Sequence, residues 1–123
     1  MSAYTVFNNV VQDFVEAMLE KFPGSKELAA CGVFHKMSVC MDTKMAYQKF
    51  REYVLTPYEK PLRDHDDSFF LDQSYAEMSE KDGMIIISAL KHLWREMSDE
   101  DKKCVYGYID LILEIHERIS NDV

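Results

Sequence analysis

Glycine and proline are scarce in this chain, with four and three copies in 123 residues. That scarcity argues against long flexible linkers and against barrels built on tight turns. Long apolar runs are missing too. The longest uninterrupted ones, such as residues 84–87, hold four residues, far short of the roughly 20 a membrane-spanning helix needs. Met1-Ser2-Ala3-Tyr4 lacks the basic start and apolar stretch of a secretory leader, so a soluble, cytoplasmic protein with no membrane partner is expected. The three cysteines, Cys31, Cys40 and Cys104, are odd in number and form no C-x-x-C pair. They read as small apolar side chains under reducing conditions rather than as a disulfide framework. Positive charge is also short: 14 basic residues stand against 22 acidic ones, a net charge of −8. Such a chain is repelled by a phosphate backbone unless its Lys and Arg gather on one face. They are scattered among acids instead, so nucleic acid is not the expected partner.

What the chain has in quantity is helical periodicity, in one domain covering residues 1–123. A first helix is expected over 4–22, with Phe7, Val10 or Val11, Phe14, Met18 and Phe22 on one stripe. Pro23-Gly24 ends it, and Ser25 caps a second helix that reaches Asp42-Thr43. The inner face of that helix reads as Leu28, Cys31 or Gly32, His35 and Val39. A third helix is expected over 44–55, with Ala46, Phe50, Tyr53 and Val54 inward. Pro57 disfavours helical geometry at Thr56, and Thr56-Pro57-Tyr58-Glu59 reads as a capping box restarting one short turn that Pro61 stops. Residues 63–73 show no period and are expected to be a loop that drops Phe69 and Phe70 into the core. Ser74-x-x-Glu77 opens a short helix ending near Asp82-Gly83. The C-terminal third is the clearest element. Ile86, Leu90, Leu93 and Met97, widened by Ile87 and Trp94, face Val105, Tyr108, Ile109, Ile112, Ile115 and Ile119 in a helical hairpin. Between the two helices Ser98 caps the second, whose positive end carries Asp99, Glu100 and Asp101. The expected class is therefore all-α: a single-domain bundle of five or six helices with a C-terminal helical hairpin.

Chemistry-bearing patterns are weak. Aligning Asp64, Asp66 and Ser68 with the first ligands of a calcium loop puts Phe69 where glycine is required and Tyr75 where the closing glutamate belongs. A looser cation site from Asp64, Asp66, Asp67 and Asp72 competes with a solvated acidic turn, and the turn is the simpler reading. Cys31 and His35 are four apart on one helix face, with Cys40 beyond, but His65, His92 and His116 supply no second close pair for zinc. His116-Glu117 is not followed by a second histidine at metalloprotease spacing, and no nucleophile elbow or phosphate loop is present. Tyr47, Tyr53, Tyr58, Phe69, Phe70 and Tyr75 could form a recognition surface, but pinning a loop to helices is the favoured use. No catalytic, cofactor-binding or metal-ligating residue is assigned. Association with a protein partner is the expected activity, and an acid–base or metal-dependent enzyme using the acidic loop 64–72 is the alternative.

The run from Leu90 through Trp94, Ser98-Asp99-Glu100-Asp101-Lys102 and Tyr106-Gly107-Tyr108 to Leu111 carries a resemblance. So does Pro57-Tyr58 leading into Asp67-Ser68-Phe69-Phe70-Leu71. Together they resemble small helical proteins encoded by nucleocytoplasmic large DNA viruses, including those of algae. In that group an aromatic-x-Tyr recurs with a second Trp, whose place Tyr106 takes here. The resemblance rests on packing and capping residues over about half the chain and implies no site residue. It implies an infected-cell setting and a regulatory or assembly role.

Eight methionines and 15 aromatics leave more apolar surface than one small bundle hides with ease. Val6, Val10, Val11, Val15 and Leu19 extend the apolar face of the first helix past its Phe7–Phe14–Met18 stripe. If that helix lies at an end of the bundle, a homodimer through this strip follows; if it lies centrally, the strip is core. The dimer is the expectation adopted.

Overall fold

A computed structural model describes residues 2–72 and 85–121. The described residues form six helical segments and no strand: α1 (Ala3–Lys21), α2 (Lys26–Met41), a continuous segment of α3 (Met45–Phe50), a π-helical turn (Arg51–Leu55) and α4 (Thr56–Arg63), then α5 (Asp67–Leu71), α6 (Ile85–Leu93) with a 3₁₀ turn (Trp94–Glu96), and α7 (Asp99–Asn121). The all-α bundle expected from periodicity is the observed fold. The Ser74–Glu77 capping box, Tyr75 and the short helix ending near Asp82-Gly83 lie outside the described residues.

The caps explain the clean helix starts. Ser2 and Ser25 accept the amides of Thr5 and Leu28, each at 3.2 Å. Ser98 and Asp101 form a reciprocal box: the Asp101 amide donates to the Ser98 hydroxyl at 3.1 Å and the Ser98 amide to the Asp101 carboxylate at 3.2 Å.

The centre of the bundle is α1, which packs against α2 on one side and α7 on the other, with α3 across one end. The α1 strip through which a homodimer was expected is thus largely covered within the chain. Val15 is 1% exposed and Val11 also buried, while Val6, Val10 and Leu19 pack half-buried against the core. Periodicity shows how wide an apolar strip is but not how many neighbours cover it, and here two helices do.

The segment from α3 to α4 departs from expectation at its proline. Thr56 keeps helical angles (φ −58°, ψ −49°), and no side-chain cap bond forms. The expected break and capping box are therefore absent. A proline inside an α-helix removes one amide and presses on the carbonyl four residues back, here that of Tyr53. The wider π turn immediately before it relieves that contact without ending the helix. The irregularity falls instead at Tyr58 (φ −127°, ψ 16°). Pro61 then sits in the first turn after the kink, where a missing amide costs no helical bond, and the helix runs on to Arg63. Val54 is buried as expected, joined by Tyr47, Leu55 and Leu62, while Ala46, Phe50 and Tyr53 are half-buried.

Residues 63–73 are more ordered than a loop. The α4 end is a Schellman turn: His65 takes φ 52°, its amide donates to the Leu62 carbonyl, and the Asp66 amide donates to the Pro61 carbonyl at 3.0 Å. Asp66 then caps α5 through the Ser68 amide at 3.0 Å. Phe69 and Phe70 are buried as expected, with Phe70 stacked on Trp94 at 4.2 Å between ring centres. Lys91 of α6, unremarkable in sequence, is buried. Its ammonium donates to the backbone carbonyls of Phe69 and Asp72 (2.8 Å to the latter) and lies 4.0 Å from the Phe69 ring centre, pinning the C-terminal end of α5 to α6. On the far side of the core Ile86, Ile87 and Leu90 of α6 and Ile109, Ile112 and Leu113 of α7 line one apolar space together with Phe14, Leu55 and Leu62.

Candidate functional site

The acidic segment spends its charges separately. Asp64 faces Lys60 at 3.8 Å on an exposed helix turn, Asp66 caps α5, and Asp67 accepts the Tyr106 hydroxyl at 2.6 Å. His65 stacks on Tyr106 with ring centres 4.3 Å apart and bonds the Asp110 carboxylate at 2.7 Å. That contact holds the left-handed backbone of His65 in place. Among the described residues no group of three His, Cys, Asp or Glu side chains converges on a point where a cation could sit. Adding a strong chelator should therefore leave the melting temperature unchanged; a drop reversed by a divalent ion would show a structural cation.

Cys31, His35 and Cys40 do not converge either. Cys31 is buried, and loss of hydration pushes its thiol up to about 12, so it stays protonated at neutral pH. Cys40 is exposed. His35 donates from Nε2 to the Asn8 backbone carbonyl at 2.8 Å, while the Asn8 amide donates to the Thr43 carbonyl at 2.9 Å. This pair of bonds ties α1, α2 and the turn before α3 together. His116, on α7, pairs Nδ1 with the Tyr47 hydroxyl at 2.7 Å, beside an Arg63 that bridges Glu59 and Glu117.

Both histidines are held below the usual imidazole range, His35 chiefly by burial against the opposing Asn8 carbonyl bond. For His116, burial is the main cause; Arg51 and Arg63 act the same way, and Glu59 and Glu117 oppose them. A base whose folded pKa is depressed binds protons less readily than in the unfolded chain. Neither group affects stability above its unfolded pKa near 6.5, and the fold weakens as pH falls through that value toward the depressed folded one. Urea unfolding should show lower stability at pH 5 than at pH 7, and His35→Gln should make the pH dependence shallower. A dependence equally steep in His35→Gln would remove His35 as a cause.

Ser88, Glu27 and His92 form another polar cluster. The Ser88 hydroxyl donates to one Glu27 oxygen at 2.8 Å and His92 Nδ1 bonds the other. The carboxylate lies between the hydroxyl and the imidazole, whereas triad chemistry needs the imidazole between. The contact docks α6 on α2. A broad depression of about 400 Å³ opens beside it, bordered by Phe22, Lys26 and Glu96.

The outward side of α2 is the feature left without an internal use. Its inner face is set by Leu28 and Cys31, both buried, and by half-buried His35 and Val39. On the opposite side Val33, Met37 and Met41 follow one another at i, i+4 and i+8 with exposures of 56%, 55% and 72%, and Phe34 widens the strip at 42%. Lys36 is the one formally charged side chain from Leu28 to Met41. A surface helix normally turns a polar face outward, and a helix apolar all round belongs in a core. Beside Phe34 a half-open cavity of about 60 Å³ lies between α1, α2 and α3, floored by the buried Phe7, Val11 and Val15 and walled by His35, Ser38 and Phe50. Sequence reading gave the open strip to the first helix. The signal for α2 was there in its missing polar face.

The molecule thus belongs to the class of small all-α bundles, with an apolar outer helix face as its most distinctive surface. No protein-family model, curated protein or solved structure matches the chain. No described helix is long and apolar enough to cross a membrane.

Proposed function

We propose that this protein acts by protein–protein association, without chemistry of its own, and that the outer face of α2 is the contact surface. The observation that carries this reading is the row Val33, Phe34, Met37 and Met41, large apolar side chains in water on one helix. Each loses favourable free energy by staying wet, about 25 cal/mol per Å² of apolar surface, and a partner recovers it. Under the resemblance noted above, the proposed setting is the interior of an infected cell and the role is regulation or assembly.

Exposed Cys40 lies on the same side of α2 and offers a handle. With Cys104 changed to serine, a photocrosslinker attached at Cys40 should transfer to a discrete protein in cells. That protein, once purified, should bind the native chain and fail to bind Met37→Glu. Because Met37 is exposed, Met37→Glu should alter stability by no more than about 0.5 kcal/mol. Equal binding by a folded Met37→Glu variant, or no discrete adduct, would reject the surface.

A further inference from the structure

The charge around the strip indicates what covers it. Residues 26–51 hold five basic side chains (Lys26, Lys36, Lys44, Lys49, Arg51) and two acidic ones (Glu27, Asp42). That leaves nine of the 14 basic residues and 20 of the 22 acidic ones to the rest of the chain. Of the two acids, Glu27 is bonded to Ser88 and His92, and Asp42 accepts the Lys44 amide at 2.8 Å. Neither Lys26 nor Lys36 has an ion-pair partner among the described residues. Elsewhere Lys21 pairs with Asp101, Lys60 with Asp64, Arg63 with Glu59 and Glu117, and Arg118 with Glu114, while Arg95, Lys102 and Lys103 form no ion pair among the described residues. The segment that carries the apolar strip is thus the locally basic stretch of an otherwise acidic chain.

Resting on the association reading above, we propose that the occupant is an amphipathic helix with acidic flanks, carried by a different protein, laid along α2 with one apolar side chain in the cavity beside Phe34. Apolar anchors at helical spacing match a strip repeating at i, i+4 and i+8. The cavity of about 60 Å³ suits a small aliphatic group. Acidic flanks meet Lys36, exposed beside the strip, and Lys26, exposed at the start of α2. A second copy of this chain fits worse. A two-fold contact between antiparallel α2 helices brings each flank against its own equivalent, Lys36 against Lys36, and joins two bodies of net charge −8. An anionic membrane fits worse as well, since the whole molecule is repelled from it and a bilayer has no use for a defined side-chain slot.

The test uses two labelled helical peptides, each of 16 residues to match α2, with leucines at i, i+3, i+4 and i+7 spacing. One carries glutamates on both flanks of the leucine stripe, the other lysines. Fluorescence anisotropy at low salt should show the acidic peptide binding at least ~10-fold more tightly, with the gap closing as salt is raised. Lys36→Glu, an exposed change that spares the fold, should narrow or invert the preference, and Met37→Glu should abolish binding of both peptides. Equal binding of the two peptides, or preference for the basic one, overturns the acidic-flank inference while leaving an apolar contact surface. Failure of both peptides, with sedimentation showing a dimer that Met37→Glu dissolves, overturns it in favour of a second copy. Failure of both, with flotation on phosphatidylserine-containing vesicles that Met37→Glu abolishes, overturns it in favour of a lipid surface. Failure of both with a monomeric chain and no vesicle binding rejects the association reading as well.

Discussion

Trp94→Ala should lower the unfolding free energy by about 3–5 kcal/mol in urea titration, enough to leave a small domain partly unfolded at ambient temperature. The indole is 0% exposed. It stacks on Phe70 at 4.2 Å, meets the Tyr106 ring edge-on at 5.6 Å and lies beneath the Lys102 ammonium at 5.4 Å. Removing it empties the junction where α5, the 3₁₀ turn and α7 converge, and nearby side chains cannot collapse into so large a space. Trp94→Phe should cost much less, because it keeps a ring against Phe70 and deletes an indole N–H that has no hydrogen-bond acceptor among the described residues. A double-mutant cycle with Phe70→Leu should return a coupling of about 0.5–1.5 kcal/mol beyond the area lost. A loss below about 1 kcal/mol for Trp94→Ala would mean that the ring is not a core residue.

Val15→Glu should be at least as damaging. Val15 sits where α1 packs on Gly32 of α2, its side chain 3.5 Å from where a Cβ on Gly32 would lie. A carboxylate there has no cation within the apolar core, and an uncompensated buried charge costs several kcal/mol even after protonation. The variant should populate the unfolded state, seen as loss of the near-ultraviolet Trp signal and of cooperative melting. Val33→Glu introduces the same side chain one helix away and should melt within a few degrees of the native protein, because Val33 faces water. The pair separates the two apolar strips: one holds the bundle together and the other is open to a partner. Matching losses in both variants would mean that α2 is covered in solution. A folded Val15→Glu would mean that α1 is not central.

Much of this fold was legible in the chain because it is set by neighbours a few residues apart. The stripe of Phe7, Phe14 and Met18 defines α1, the caps Ser25 and Ser98 start α2 and α7, and the apolar run at Phe69-Phe70 lands in the core as its composition demands. Two local signals were outweighed. Pro57 reads as a break at Thr56, yet Thr56 stays helical after the π turn and the kink falls one residue past the proline, at Tyr58. The loop over 63–73 reads as aperiodic because α5 has only five residues, too few to show a period.

The sequence by itself determined the class, the capped starts of α2 and α7 and the aromatic plug, since those depend on short-range spacing and residue chemistry. Only the tertiary structure decided which apolar strip is covered. It put α1 between two helices, buried Lys91 over the end of α5, and turned Val33, Met37 and Met41 to water. The physical reason is that hydrophobic burial is non-directional. Two helices with apolar strips of similar width compete for the same core, and the winner is set by how the whole set of helices closes around it, which no window of a few residues encodes.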